Sequence, residues 1–141
     1  MKTIGVNGFG RIGRYFTRLS LTRNDISVSV VNDLSDINTL MHLLKYDSIH
    51  GVLNLDFTII GNKVTFENGK EIIFLNESNP ERIHWDKYNV ETVIEATGLF
   101  LTKEKANQHI TGGAKKVILS APAKDNEIKT IVLGVNEEAL E

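Results

Sequence analysis

Three glycines and one aspartate carry the clearest chemistry in this chain. Gly8, Gly10 and Gly13 stand at Gly-x-Gly-x-x-Gly spacing within Asn7-Gly8-Phe9-Gly10-Arg11-Ile12-Gly13-Arg14. They follow the run Lys2-Thr3-Ile4-Gly5-Val6 and lead into Tyr15-Phe16-Thr17-Arg18-Leu19-Ser20-Leu21, which reads as a helix. Strand, glycine turn and helix in that order are the context a dinucleotide site requires. Gly8 allows the tight turn, Gly10 leaves no side chain in the path of a pyrophosphate, and Gly13 lets the helix pack close to the sheet. The free N–H groups at the helix start, aided by the helix dipole, favour an anion.

Asp33 supplies the second half of the pattern. It ends the strand-like run Ser27-Val28-Ser29-Val30-Val31-Asn32 and stands 20 residues after Gly13. A spacing of about 20 suits a carboxylate that accepts hydrogen bonds from the adenosine ribose and repels a 2′-phosphate. The competing reading makes Asp33 the cap of a helix starting near Asp36.

The elements that position these residues alternate strand and helix, as in an open parallel sheet with crossover helices. Asp36 to about Lys45 reads as a helix with Ile37, Leu40, Met41 and Leu44 on one face. Then come three short strands, 57–60, 63–66 and 71–74, separated by Gly61-Asn62 and Asn68-Gly69, the second a favoured hairpin turn. Residues 81–89 read as short helix or coil. Thr92-Val93-Ile94-Glu95-Ala96 is a strand that breaks at Thr97-Gly98, and Thr102 caps a helix from Lys103 to about Ile110. Gly112-Gly113 ends that helix. Lys116-Val117-Ile118-Leu119 reads as a buried strand, and Thr130 to Val135 as the last one. The expected fold is α/β: a Rossmann-type, doubly wound, mostly parallel sheet with an inserted antiparallel meander.

Bulk properties agree. The chain has 141 residues, 41% of them hydrophobic, which is one domain with an ordinary core. A net charge of −2 gives no electrostatic reason to expect nucleic acid or a membrane surface as partner. There are no cysteines, so the chain offers no disulfide, thiolate metal site or cysteine nucleophile. No apolar run approaches the ~20 residues that span a bilayer. The polar end at Glu141 carries no stop signal and reads as a cut within a longer protein.

Asn-Gly-Phe-Gly-Arg-Ile-Gly-Arg (7–14) closely resembles the start of phosphorylating glyceraldehyde-3-phosphate dehydrogenases. So do Asn32-Asp33-Leu34, residues 44–51 (Leu-Lys-Tyr-Asp-Ser-Ile-His-Gly), Glu95-Ala96-Thr97-Gly98-Leu99-Phe100, and the segment Gly113 to Pro122. The resemblance covers the whole chain. It implies the NAD-binding domain, residues 1–141, of a cytoplasmic oxidoreductase of glycolysis that forms a homotetramer at full length. The family oxidises glyceraldehyde 3-phosphate with NAD and inorganic phosphate through a cysteine in Ser-Cys-Thr-Thr-Asn, which lies beyond the equivalent of Glu141. No catalytic residue is therefore expected here. Two alternatives share the cofactor: the NAD domain of an erythrose-4-phosphate dehydrogenase, and a free-standing NAD module without catalysis.

The resemblance also assigns cofactor residues. Asn7, Gly8, Phe9 and Gly10 form the turn, and Arg11 and Ile12 bring backbone N–H groups to the pyrophosphate. Asp33 holds the ribose. Thr97, Gly98 and Phe100 resemble the wall beside the adenosine half, and Ser120 lies near the nicotinamide half. One departure stands out: the family's Glu-Arg-Asp-Pro is Glu77-Ser78-Asn79-Pro80 here. Ser78 has no guanidinium to frame the adenine, which is left looser unless Arg82 reaches in.

Other constellations are weaker. Asp47, Ser48 and His50 carry the letters of a hydrolase triad, but triads assemble from distant parts of a fold. His42, His50, His84 and His109 lack metal-ligand spacing. Lys115-Lys116 reads as a solvated approach to a strand, and Trp85 as a packing residue whose indole N–H finds a partner.

Overall fold

The structure is a computed structural model describing residues 1–131 and 134–139. Strand β1 (Lys2–Asn7) leads through the glycine turn into α1 (Arg11–Ser20), then β2 (Ile26–Asn32) and α2 (Ile37–Lys45). A hairpin of β3 (Tyr46–Asp47) and β4 (Gly51–Val52) follows, then β5 (Phe57–Ile60), β6 (Lys63–Phe66) and β7 (Glu71–Leu75). Two 3-10 turns, Pro80–Arg82 and Trp85–Tyr88, precede β8 (Thr92–Glu95), α3 (Lys103–Thr111) and β9 (Lys116–Leu119).

Seven strands form one sheet in the order β5-β6-β7-β2-β1-β8-β9. The pairs from β7 to β9 are parallel, whereas β5-β6 and β6-β7 are antiparallel. The meander is thus not a separate appendage. Its last strand lies antiparallel to β6 and parallel to β2, so it extends the main sheet. The chain builds outward from β1 through β2, then crosses back to place β8 on the other side of β1. That reversal makes the carboxyl end of β1 a topological switch point, where open parallel sheets bind ligands.

Apolar residues fill both faces. Phe9, Leu21, Leu40, Met41 and Leu44 pack with the sheet residues Val6, Val28 and Val31 on the side of α1 and α2. Trp85 anchors the opposite face with Val30, Ile83, Val90 and Val93. The glycine within β1 belongs to this packing: a methyl group at Gly5 would lie 2.5 Å from the Trp85 ring.

Two expectations change and one element is added. The strand at 116–119 is an edge strand with alternating exposure, and Ile118 is 47% exposed, because no described strand flanks it on the outer side. The β3–β4 hairpin was not legible in the sequence; Asp47 Oδ1 organises it by accepting from the N–H groups of Ile49 (2.7 Å) and His50 (2.8 Å). Of the strand expected at 130–135, Val132 and Leu133 lie outside the described residues. Thr130 and Ile131 lie in no strand, and Gly134 and Val135 form a turn. Among the described residues no helix is long and apolar enough to cross a membrane.

Candidate functional site

The site grows from the β1–α1 turn. Gly8 has φ +96°, and a methyl group there would lie 2.8 Å from Thr97. A methyl group at Gly13 would sit 2.0 Å from the Gly8 carbonyl oxygen, so α1 starts directly against the turn. Gly10 is different: a methyl group there meets nothing within 4 Å. Gly10 is the N-cap of α1 and supplies no capping side chain, and no acidic residue stands in the first turn. By contrast, Asp36 caps α2 by accepting from Asn38 and Thr39, and Thr102 caps α3 by accepting from Lys105. The N-terminus of α1 thus keeps open donors for an anion, as the sequence expects.

A cavity of about 360 Å³ opens there. Asn7, Gly8, Gly10, Asp33, Thr97 and Phe100 line it, all anticipated from the sequence. Asn32, Leu34, Glu77, Ser78, Ala96 and Leu99 complete the lining. Phe9 does not reach the cavity: its ring is buried against Phe74 at 5.5 Å, edge to face, leaving only its backbone at the turn. Arg11 and Ile12, in the first turn of α1, are exposed beside the cavity without lining it. Gly98, with φ +75°, turns the wall loop between Thr97 and Leu99. Ser120 lies outside the lining and donates its backbone N–H to the Glu95 carbonyl at 3.1 Å, beside the exit of β8. Arg82 is exposed on its 3-10 turn and does not line the cavity, so the place of the family's arginine holds only Ser78.

Asp33 is not a helix cap, since Asp36 takes that role. Its Oδ2 accepts from the Phe9 N–H at 2.8 Å and its Oδ1 from the Ser35 N–H at 2.9 Å. The carboxylate therefore pins the glycine turn to the end of β2. A carboxylate has about four acceptor positions, so two remain for a ligand.

Beneath the cavity lies a buried polar row whose centre, Glu95 with His109, sequence spacing does not reveal. Asn7 pairs in register with Asn32 on one side and Glu95 on the other. Asn7 Nδ2 donates to Glu95 Oε1 at 2.6 Å, and Asn32 Nδ2 donates to Asn7 Oδ1 at 2.8 Å. Asn32 also exchanges hydrogen bonds with the Glu77 backbone, both 2.8 Å. The Thr97 N–H and hydroxyl donate to Glu95 Oε2 at 2.8 and 2.6 Å. His109 Nε2 meets Glu95 Oε1 at 2.8 Å, while the Trp85 indole donates to His109 Nδ1 at 3.1 Å. An indole only donates, so Nδ1 is unprotonated, Nε2 holds the proton and the ring is neutral. Burial by itself pushes the Glu95 carboxyl up, but the bonds from His109, Thr97 and Asn7 outweigh it and hold the group below its ordinary value. The only sequence signal for this row is a carboxylate closing an apolar strand.

Among the described residues no cluster of histidines and acids fits a metal ion. Asp47 and His50 form no triad: Asp47 serves the hairpin turn, and its carboxyl is held at about 2, first by the His50 backbone N–H. His50 stacks on Tyr15 at 4.0 Å.

Comparison with known proteins decides the family. Residues 2–103 match the model of the glyceraldehyde 3-phosphate dehydrogenase NAD binding domain. The chain belongs to that family. It is 53% identical over 135 residues to the glyceraldehyde-3-phosphate dehydrogenase of Geobacillus stearothermophilus, covering 96% of this chain and 40% of that protein. Glyceraldehyde-3-phosphate dehydrogenase 2 of Streptomyces avermitilis is 52% identical over 136 residues, with the same shares. Glyceraldehyde-3-phosphate dehydrogenase 1 of Bacillus subtilis is 48% identical over 135 residues, again with the same shares. The chain thus spans 40% of the length of these curated relatives. The cofactor of this family domain is NAD. The uncapped α1 and the open space over Gly10 fit its pyrophosphate.

Proposed function

We propose that this domain holds NAD across the carboxyl ends of β2, β1 and β8, as the cofactor-binding part of a phosphorying glyceraldehyde-3-phosphate dehydrogenase, that is, a phosphorylating aldehyde dehydrogenase of glycolysis. The observation that carries the reading is α1, whose N-terminus lacks a capping side chain and whose N-cap Gly10 lines the cavity. The backbone N–H groups of Arg11 and Ile12 take the pyrophosphate, over a turn made by Asn7, Gly8, Phe9 and Gly10. Asp33 accepts from the ribose hydroxyls with its two remaining acceptor positions. Thr97, Gly98 and Phe100 wall the adenosine half, and Ser120 lies toward the nicotinamide half.

Bound NAD supplies a hydride acceptor. The residues of this chain bind and orient it; they do not generate the hydride donor, which needs a nucleophile that converts an aldehyde to an adduct. The 141 residues contain no cysteine. The thiolate, the histidine base, and the sites for glyceraldehyde 3-phosphate and inorganic phosphate belong to a second, catalytic domain outside residues 1–141. The complete enzyme works as a cytoplasmic homotetramer in this reading.

Titration calorimetry with NAD and NADP tests the reading. Charged hydrogen bonds are worth about 1.5–3 kcal/mol, which gives NAD at least a roughly tenfold advantage through Asp33. Equal or tighter binding of NADP contradicts the role of Asp33, and failure to bind either contradicts the site.

A further inference from the structure

Glu95 is fully buried, does not line the cavity, and yet touches what does. We propose that Glu95 is the positioning residue of the cofactor pocket: its carboxylate fixes the direction of a hydrogen-bond chain joining the Thr97 wall to the Glu77–Ser78 wall. The proposal rests on the NAD-binding reading of this cavity.

Four donors converge on the carboxylate. Asn7 Nδ2 and His109 Nε2 reach Oε1, and the Thr97 N–H and hydroxyl reach Oε2. An ionised carboxylate only accepts, so each neighbour must turn a donor toward it. Asn7 therefore shows its NH2 to Glu95 and its oxygen to Asn32. Asn32 in turn shows its NH2 to Asn7 and its oxygen to the Glu77 N–H. On the other side His109 must hold its proton on Nε2, which leaves Nδ1 to accept from Trp85. The acceptor-only carboxylate at the centre thus imposes the same polarity that the donor-only Trp85 indole and the Glu77 backbone impose at the two ends, so no link can reverse without loss. His109 also meets the ring of Phe100 edge-on at 6.1 Å, a second contact with the Thr97–Phe100 wall.

A glutamine at this position has the same shape but presents one acceptor and one donor end. With its NH2 toward Thr97, the Thr97 N–H loses its acceptor. With its NH2 toward Asn7 and His109, both must reverse. The reversed ring then turns a second donor toward the Trp85 indole, and the reversed amides leave the Glu77 N–H without an acceptor. Every arrangement strands at least one N–H in a wall of the pocket or beneath it, and a stranded donor moves toward water.

The test uses the 141-residue chain and its Glu95→Gln variant. Calorimetry should show NAD affinity falling about tenfold in Glu95→Gln, with cooperative thermal unfolding retained. A folded Glu95→Gln chain that binds NAD within twofold of the unaltered chain overturns the proposal. Failure of the unaltered chain to bind NAD overturns the pocket reading and this proposal with it. A second measurement needs no variant. In 15N spectra of the unaltered chain, His109 should show an unprotonated Nδ1 and a protonated Nε2. Both signals should shift on saturation with NAD, although the ring is buried and does not line the cavity. The opposite tautomer, or ring signals indifferent to NAD, overturns the proposal even if Glu95→Gln does not fold.

Discussion

Gly13 and Gly10 belong to one motif but answer to different forces. A methyl group at Gly13 would lie 2.0 Å from a backbone oxygen that cannot move without shifting the turn, and 3.1 Å from Val6 Cγ1. Gly13→Ala should therefore destabilise the fold by about 3 kcal/mol or more, read as a lower urea midpoint. A loss below about 1 kcal/mol would show that α1 does not pack as described. Gly10 has φ −76° and nothing within 4 Å of an added methyl group, so packing does not require a glycine there; in the proposed site the ligand does. The close packing at Gly13 was legible from spacing, because the strand–turn–helix context constrains it. Asp33 lines the cavity where the sequence expects a ligand, but its grip on the Phe9 N–H was not legible, since spacing along the chain says nothing of which backbone group faces a side chain. Glu95 and His109 were missed for the same reason: 14 residues separate them, and only the sheet and α3 bring them together.

At the scale of elements, the three α-helices divide by how they start. Asp36 and Thr102 close α2 and α3 with their own side chains, and α1 has none. Asp36→Ala should lower stability by about 1 kcal/mol and leave NAD affinity within twofold, as measured by chemical unfolding and calorimetry together. A matching loss of affinity would mean that α2, not α1, orders the pocket. The strands and helices themselves were largely readable from hydrophobic period and turn residues: Gly61-Asn62 and Asn68-Gly69 separate β5, β6 and β7, and α3 begins at the expected cap. What the pattern concealed was pairing. The hydrophobic pattern of 71–74 assigns it to a meander, with no sign that β7 also runs parallel to β2. That pairing is what carries Glu77 and Ser78 to the cavity, so the wall facing Thr97 was invisible to local pattern.

Across the whole molecule, the sheet sets a buried polar row around the Glu95 carboxylate beneath the cavity, and this links stability to pH. Glu95 titrates below its ordinary value when folded, because hydrogen bonds from His109, Thr97 and Asn7 outweigh burial. A depressed carboxyl contributes stability that is fully present above the unfolded value of about 4.3 and is lost as pH falls through the folded one. Glu95 should therefore make unfolding free energy fall below about pH 4.5, more steeply in the unaltered chain than in Glu95→Gln. Equal slopes in the two would show that Glu95 is not ionised in the fold. The family relation was also legible, since the glycine turn, Asn32-Asp33 and Glu95-to-Phe100 carry the resemblance and residues 2–103 match the family's NAD binding domain.

The central claim is that the open N-terminus of α1 binds the pyrophosphate of NAD. Calorimetric titration of NAD into the unaltered chain and into Gly10→Val tests it most directly, with the fold of both checked by their unfolding curves. A Cβ at Gly10 meets nothing within 4 Å, and in the proposed site the side chain stands in the path of the phosphates. The unaltered chain should bind one NAD, and folded Gly10→Val should show no measurable heat of binding. Equal affinity in the two folded chains would contradict the site.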